Sequence, residues 1–199
     1  MKKNSIKINK CRLCNSTKLI QVLNFKPTPI GDDYTSSSVK RKKYSLVVKK
    51  CINCHFSQLS ETINPKLLYG DYLYVTKTSL GLPLHFKNLV NKLQKEKIVY
   101  SGCNTLEIGS NDSTLLRMLK NKGAKVLGID PAAKKRNNHN VETINKFFDL
   151  KLAKNIKKKY GKFDLIIANN VIANMNDLND VFNGIDELLG ENGYFVMET

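Results

Sequence analysis

The sequence lacks any apolar run that approaches the roughly 20 residues a membrane-spanning helix needs. Its first residues, Met1-Lys2-Lys3 followed by polar side chains, also lack the apolar stretch of a secretory signal. We therefore expect a cytoplasmic protein with no membrane partner. No internal repeat is present. With 199 residues and a hydrophobic content of 41%, the chain is long enough for one ordinary domain or two small ones.

Acidic residues are scarce, because 17 Asp and Glu stand against 33 Lys and Arg, for a net charge of +16. Residues 1–55 carry 13 basic and 2 acidic side chains, whereas residues 101–199 carry 14 and 12. Such an excess is typical of proteins that bind nucleic acid or a phosphate-bearing substrate, although a general lysine bias would also produce it. Because aromatic residues are not interleaved with the basic ones, nucleic acid is not the favoured partner.

The sequence has only five cysteines, and four of them form two Cys-x-x-Cys pairs, Cys11 with Cys14 and Cys51 with Cys54. Each pair can fold into a tight turn that directs two sulfurs at one point, and two such turns complete a tetrahedral four-sulfur site. This pattern predicts a structural zinc ion, with a rubredoxin-like iron centre as the alternative. His55 is an alternative ligand, but four thiolates already complete the set.

The segments around these pairs predict a small zinc-binding module over residues 1–60. So small a module has little core of its own, so the metal would contribute folding energy directly. Residues 18–25 and 44–49 have the pattern of short strands, and a loop is expected at residues 26–33.

Residues 61–100 are expected to form a connector. A short helix begins at Pro65, and an amphipathic helix is expected over residues 83–97. The side chains expected on its apolar side are Leu84, Leu89, Val90 and Leu93. His85, near its start, is interpreted as a surface or capping histidine.

The second half lacks the dinucleotide-binding sequence Gly-x-Gly-x-x-Gly, because Gly109 is followed by Ser110-Asn111-Asp112-Ser113. A strand, a glycine turn, a helix and a second strand that ends in Asp130 still form the first half of a nucleotide-binding βαβ unit. A pyrophosphate would need more glycines for close backbone approach, so S-adenosylmethionine is favoured over NAD. Asp130 would accept hydrogen bonds from a ribose, and Glu107 would neutralise the ammonium group of the donor.

Strand and helix patterns alternate over residues 101–199, which predicts an α/β fold with a parallel, Rossmann-like sheet. The strands are expected at residues 105–108, 125–129, 141–143, 163–168 and 194–197. The helices are expected at residues 113–121, 150–160 and 178–189, with a glycine turn at residues 190–193. Cys103 is expected to be an apolar filler of the core.

The order of these motifs resembles the N-terminal half of the sugar C-methyltransferases, which methylate carbon 3 of nucleotide-linked keto-deoxysugars. Those proteins combine a four-cysteine zinc module, a Tyr-x-Tyr-x-Ser/Thr segment, a class I methyltransferase domain and a second α/β domain. The resemblance implies S-adenosylmethionine and zinc as cofactors and a nucleotide-linked sugar as substrate. It covers nearly the whole chain and rests on residues 11–14, 51–54, 72–79, 106–115, 128–132, 143–149 and 168–198.

The resemblance also implies roles for individual residues. Tyr72 and Tyr74 match the aromatic segment that closes over the active site. The residues implied to bind the donor are Glu107, Gly109 and Asn111 at its methionine part, Asn169 and Asn170 beside its methyl group, Asp130 at its ribose and Phe147 beside its adenine.

The chain departs from the family's pattern at a catalytic position. Asn174 stands where the family has a histidine thought to help with proton transfer, and an amide is not a general base at neutral pH. Ser113 replaces a usual glycine. The family's Tyr-x-Glu-His catalytic segment would follow shortly after Thr199. The family's strand order is 3-2-1-4-5-7-6, so we expect residues 194–197 to form an edge strand that pairs with a second copy of the chain or with a C-terminal domain.

Two alternatives stay open. A non-catalytic module that binds the donor and a partner would be consistent with Asn174 and with a shortened chain. An RNA methyltransferase would use the cysteine pairs and the basic residues. Asn169-Asn170-Val171 weakly resembles the motif of base methyltransferases but lacks its Pro-Pro-aromatic part.

Overall fold

The computed structural model describes residues 4–31, 40–70, 72–135 and 140–199, without the side chain of Lys135. The chain divides into two compact units, residues 1–73 and residues 74–199. The division falls within the stretch between the cysteine pairs and the parallel sheet.

Within its described residues, the first unit contains five strands and one helix, in the order β1 (Ser5–Lys7), β2 (Leu19–Thr28), β3 (Tyr44–Cys51), β4 (Ser57–Leu59), β5 (Glu61–Ile63) and α1 (Pro65–Tyr69). Strands β1 and β5 form one antiparallel pair, and a second antiparallel sheet has the order β2-β3-β4. The predicted helix start at Pro65 is confirmed, because Asn64 caps α1 by accepting a hydrogen bond from the amide of Lys66.

Strand β2 continues through Lys26, Pro27 and Thr28, where we expected a loop. The prediction is wrong for these residues because the strand continues to pair with β3, although the register shifts between Phe25 and Thr28. Pro27 is accommodated because β2 lies at an edge of its sheet. An edge strand tolerates a residue that has no amide hydrogen to donate. Residues 32 and 33 of the expected loop lie outside the described residues.

The described part of the second unit contains five strands and four α-helices, in the order α2 (Leu82–Lys95), β6 (Asn104–Ile108), α3 (Thr114–Lys120), β7 (Lys125–Ile129), β8 (Thr143–Ile144), α4 (Leu150–Tyr160), β9 (Phe163–Asn169), α5 (Leu178–Leu188) and β10 (Leu189–Glu198). All strand pairings are parallel, in the order β10-β9-β6-β7-β8. This confirms the predicted α/β fold, and the order agrees with the expected arrangement 3-2-1-4-5 for these five strands. Parallel strands bring their carboxyl ends to one edge, where open α/β sheets bind ligands.

One core cluster joins the sheet to α2 and α3. Phe86, Val90 and Leu93 recur at helical spacing on α2 and are buried in this cluster together with Cys103. Burial of each large side chain stabilises the fold by about 1.5–3 kcal/mol. Cys103 is thus an apolar filler, as predicted. The prediction for Leu84 is wrong: this side chain is 62% exposed, because it lies two residues, or about 200°, around the helix from Phe86.

Strand β10 begins earlier than expected, because the predicted turn at residues 190–193 is an irregular part of the strand. Leu189 pairs with Phe163, and regular pairing resumes with Tyr194 opposite Leu165. A Cβ at Gly193 would lie 2.9 Å from the carbonyl oxygen of Phe163, so a glycine lets the chain bulge tightly against β9. Among the described residues, no helix is both long enough and apolar enough to span a membrane.

Candidate active site and metal centre

The two Cys-x-x-Cys pairs sit in turns of the same geometry. The amide of Asn15 donates to the carbonyl oxygen of Cys11 at 2.9 Å, and the amide of His55 donates to that of Cys51 at 2.9 Å. Asn15 and His55 both adopt left-handed backbone conformations, with φ of 59° and 62°. Equivalent turns from distant parts of the chain thus present the sulfurs, as the spacing predicted.

The four thiols Cys11, Cys14, Cys51 and Cys54 form one cluster in which all sulfurs lie within 4.8 Å of one another. The Sγ atoms of Cys11 and Cys54 are 3.6 Å apart, as are those of Cys14 and Cys51. Tetrahedral Zn²⁺ with Zn–S bonds of about 2.3 Å separates its sulfurs by about 3.8 Å, so the cluster fits zinc. A backbone hydrogen bond from Ser16, with side-chain hydrogen bonds from Cys54, Cys51 and Asn53, lowers the pKa of Cys14, whereas burial and the neighbouring thiols raise the pKa of Cys54. The thiols share their protons within one cluster, so a metal ion that binds all four must displace the protons that remain.

A glycine turn follows β6 at the carboxyl edge of the parallel sheet. Gly109 has a φ of +77°, and a Cβ there would lie 3.0 Å from the side chain of Val171. Only glycine combines this conformation with this space. Asn111 and Ser113 in the same loop also have positive φ, 48° and 60°. Ser113 thus keeps a left-handed conformation at a position where the resembling family has glycine.

Asp130 ends β7 and is fixed against this loop. Its Oδ2 accepts a hydrogen bond from the amide of Asn111 at 3.0 Å, and its Oδ1 accepts one from the amide of Ala132 at 2.8 Å. The side chain is 7% exposed. These two amides therefore hold the carboxylate of Asp130 in one orientation beside the glycine turn.

The side chain of Asn111 holds the segment that contains Tyr74. Its Oδ1 accepts from the amide of Thr76 and its Nδ2 donates to the carbonyl oxygen of Tyr74, both at 3.1 Å. The amide of Lys77 donates to Asp112 Oδ2 at 3.1 Å. The structure therefore brings Asn111 and Tyr74 together through the backbone of the segment. The phenol ring of Tyr74 remains 41% exposed.

Glu107 lies on β6, two residues before Gly109, and is buried, with 4% of its surface exposed. Burial, together with the negative charges of Asp112 and Asp130, raises its pKa to about 8. Its Oε2 has no hydrogen-bond partner among the residues that the structure describes. A buried carboxyl with an unused oxygen is costly for the fold alone, and a cationic group beside it would lower that cost.

Three asparagines lie at the carboxyl end of β9. Both amide atoms of Asn169 are buried, and within the described ranges neither has a hydrogen-bond partner. Asn170 is exposed, and its Nδ2 donates to Glu198 Oε1 at 3.1 Å. Nδ2 of Asn174 donates to the carbonyl oxygen of Asn170 at 3.4 Å. Asn170 and Asn174 are thus brought together, while Asn169 offers two unused polar atoms to a ligand.

Sequence reasoning missed two residues at this edge. Nε2 of His85, on α2, lies 2.5 Å from Oε2 of Glu198, the last residue of β10. Glu198 had a readable signal, because it is a polar residue at the end of a parallel strand, as Asp130 and Asn169 are. His85 had none, since only the packing of α2 beside the sheet brings it there.

Two predicted site residues remain, Phe147 in the second unit and Tyr72 in the first. Phe147 follows β8 and is 37% exposed, whereas its neighbour Phe148 is buried against Gly184 of α5. Tyr72 belongs to the first unit, where its ring packs edge-on against Tyr69 with centroids 5.6 Å apart.

Comparison with known protein families gives two matches. Residues 11–69 match a family model described as a zinc binding domain, and residues 106–195 match one described as a methyltransferase domain. The chain is 29% identical to the C-methyltransferase NovU of Streptomyces niveus over 199 residues, which are 96% of this chain and 47% of that protein. The chain thus spans about half the length of this curated relative.

The chain also aligns in part with solved structures of methyltransferases. The plantazolicin methyltransferase BpumL, in complex with SAH, aligns with a TM-score of 0.46 and 14% identity over 59% of this chain and 48% of that one. The magnesium protoporphyrin IX methyltransferase of Synechocystis PCC 6803, with bound SAM, aligns with a TM-score of 0.42 and 18% identity over 55% of each chain.

The two matched regions occur in the order that the motifs predicted, and each contains the residues of one expected site. The four-cysteine cluster lies within the first match, and the glycine turn and Asp130 lie within the second. In this chain a region similar to a zinc binding domain is therefore followed by a region similar to a methyltransferase domain.

Proposed function

We propose that this chain binds S-adenosylmethionine at the carboxyl edge of the parallel sheet and serves the methylation of a carbon atom in a nucleotide-linked keto-deoxysugar. The observation that carries the proposal is the arrangement of two acidic side chains on either side of the glycine turn. Glu107 lies buried before the turn, and Asp130 faces the turn from the end of β7.

The donor has two groups that these carboxylates suit. Its ribose offers two hydroxyl donors, for which Asp130 is oriented by the amides of Asn111 and Ala132. Its amino-acid end carries an ammonium group, which would favour the ionised form of Glu107. Asn169, at the end of β9, provides two unused amide atoms, and by resemblance Phe147 offers its exposed ring to the adenine.

The acceptor is proposed from the C-methyltransferase relative and from the resemblance to sugar C-methyltransferases. Methylation of a carbon beside a keto group begins with removal of a proton and continues with attack of the enolate carbon on the methyl group. The protein's part is to orient both reactants and to stabilise the enolate oxygen. Tyr74 and Tyr72 are proposed to contact the acceptor, since they match the family's aromatic segment.

Zinc is proposed to be structural. The four thiolates complete its coordination and leave no position for a substrate. A thiolate site of this kind needs reduced cysteines, which supports a cytoplasmic location.

Calorimetric titration with S-adenosylhomocysteine tests donor binding. We expect the wild-type chain to bind and Asp130→Asn to bind about 10–100-fold more weakly, because hydrogen bonds to a charged group contribute about 1.5–3 kcal/mol. Asp186→Asn, a change on α5 away from the carboxyl edge, is the control and should bind like the wild type. Absence of binding by the wild type would refute the proposal.

The second candidate function is a donor-binding module without catalysis of its own, which Asn174 favours because an amide cannot accept a proton at neutral pH. A chain that binds S-adenosylhomocysteine but transfers no labelled methyl group to a nucleoside-diphosphate-linked 4-keto-6-deoxyhexose would support this second candidate. Transfer of the label would exclude it.

A second copy of the chain, or a C-terminal domain, is proposed to pair with the edge strand formed by residues 194–197. Strand β10 is the outermost strand of the described sheet, and Tyr194 and Met197 are 53% and 48% exposed. An exposed edge with apolar side chains favours pairing with another strand. Sedimentation of the chain at increasing concentration tests this, and a monomer at every concentration would exclude pairing between copies.

A further inference from the structure

The sequence contains two Asn-Gly dipeptides, Asn183-Gly184 and Asn192-Gly193. In such a pair the backbone nitrogen of the glycine can attack the side-chain carbonyl carbon of the asparagine, because the glycine has no Cβ to hinder the approach. The structure holds the first dipeptide within a regular helix and the second in an irregular strand. The same chemistry is therefore expected to proceed at different rates at the two positions.

The first dipeptide lies inside α5 and is protected there. An α-helix holds each backbone nitrogen by a hydrogen bond to the carbonyl oxygen four residues earlier, and Gly184 lies within this ladder. Gly184 is also buried, and a Cβ at this position would lie 3.1 Å from the ring of Phe148. Although the side chain of Asn183 is exposed, ring closure would require the helix to open around a packed residue.

The second dipeptide lies in the irregular part of β10. Four residues, 190–193, stand between two paired positions of β10, whereas a single residue separates the positions of β9 with which they pair. A bulge of this kind interrupts the regular ladder of backbone hydrogen bonds. Asn192 is exposed, and its side-chain amide makes no hydrogen bond to the residues that the structure describes. Neither a helix nor a side-chain contact therefore holds this amide away from the next backbone nitrogen.

We propose that Asn192 is a site of spontaneous deamidation that yields isoaspartate and aspartate. The nitrogen of Gly193 loses its proton and forms a bond to Cγ of Asn192, and the bond from Cγ to the amide nitrogen breaks. Ammonia leaves, which takes up the proton that the backbone released. Water then opens the resulting succinimide ring at either of its two carbonyl carbons. The sequence of steps consumes only water.

Isoaspartate at this position would disturb the pairing of β10 with β9. It routes the main chain through the former side chain, which lengthens the backbone by a carbon atom and leaves a negatively charged carboxylate. Gly193 has little room to absorb the added length, because a Cβ there would lie 2.9 Å from the carbonyl oxygen of Phe163. Regular pairing resumes at the next residue, Tyr194. The modified chain should therefore lose protection first where this regular pairing begins.

Peptide mapping by mass spectrometry tests the assignment, after incubation of the folded chain at pH 8 with zinc present. Cleavage after Glu187 separates the two dipeptides, and deamidation is detected as the replacement of an NH₂ group by a hydroxyl group. We expect Asn192 to react about tenfold faster than Asn183 or more, because reaction in the helix must wait for local opening. The reaction should be slower at pH 6, since the attacking nitrogen must lose its proton.

The chain unfolded in urea is the control for the chemistry. Both dipeptides should then react at similar rates, since neither is held by a helix or a strand. Asn192→Gln should remove the modification, because glutamine would have to close a larger and less favoured ring, whereas Asn183→Gln should leave it unchanged. After incubation, hydrogen exchange at the amides of Tyr194 and Phe195 should be faster in the modified wild type than in Asn192→Gln.

Two results would overturn the assignment. The first is reaction of the folded chain at Asn183 as fast as at Asn192. The second is an unchanged Asn192 in the folded chain over the time in which the unfolded chain reacts. None of these measurements uses a methyl donor or an acceptor, so their outcome is independent of the proposed methyltransferase function.

Discussion

Replacing Glu107 by glutamine tests whether the carboxyl group at the end of β6 serves a ligand at the expense of the fold. Glutamine has nearly the same shape but cannot ionise. The pKa of Glu107 is raised to about 8 by burial and by the charges of Asp112 and Asp130. We expect the variant to be more stable than the wild type at neutral pH and to bind the donor more weakly.

The magnitude follows from the difference between the folded and unfolded pKa. The pKa of Glu107 in the folded chain lies above the ordinary value of 4.5 for a glutamic acid side chain. The stability that protonated Glu107 allows is therefore fully present below pH 4.5. It is lost as the pH rises towards 8. At about 1.4 kcal/mol per pKa unit, the advantage of glutamine should grow from about 1 kcal/mol at pH 5 to about 4 kcal/mol at pH 7.5. The larger value is an upper bound, since water entering the site would reduce it.

The assay is urea unfolding of both proteins by far-ultraviolet circular dichroism at pH 5 and pH 7.5, with zinc present. Glu191→Gln, an exposed change, serves as the control and should show no such pH-dependent difference. Titration with S-adenosylhomocysteine provides the second measurement, because loss of the negative charge should weaken binding of the ammonium group. A Glu107→Gln variant whose advantage does not grow with pH, or whose affinity for the ligand is unchanged, would refute the reasoning.

Three further predictions concern the core, the glycine turn and the metal. Phe86→Ala should lower the free energy of unfolding by about 3–5 kcal/mol, whereas Leu84→Ala on the same helix should change it by less than about 0.5 kcal/mol; equal effects in urea unfolding would contradict the assigned buried side. Gly109→Ala should abolish calorimetric binding of S-adenosylhomocysteine, while Gly102→Ala, with a φ of +89° but no atom within 4 Å of a Cβ, should preserve it. A strong chelator, or Cys51→Ser, should release zinc and unfold the first unit, and retention of its circular dichroism after metal loss would show that the fold does not need the ion.

The strands and the acidic residues at their ends could be predicted because each signal is local. The run Leu165-Ile166-Ile167-Ala168 is apolar on both faces, as a central parallel strand requires, and all four residues are fully buried. Asp130 could be placed because a parallel sheet gathers the ends of its strands at one edge. The cysteine spacing defined the metal cluster for a similar reason, since each turn is complete within six residues.

Features that depend on packing between distant elements could not be predicted. His85 and Glu198 are 113 positions apart, and nothing in the helical pattern of α2 indicates which end of the sheet its first turn meets. The sequence could not show that Phe86 is buried and Leu84 exposed, because both are apolar. The distinction depends on which side of the helix faces the sheet, and a leucine alone does not indicate that side. Pro27 in β2 and the bulge in β10 depend on the partner strand, which local sequence does not reveal.

The paired turns of the cysteine cluster have a consequence for the chain between them. Zinc held by Cys14 and Cys51 is a cross-link that closes a loop of 36 intervening residues. Closing a loop of this size removes about 4 kcal/mol of chain entropy from the unfolded state on the scale used for disulfides. Doubling its length would change that figure by only about 0.6 kcal/mol. The ion fixes the two ends of the hairpin formed by β2 and β3. The length and sequence of the segment that joins these strands can therefore change with little effect on the stability of the unit.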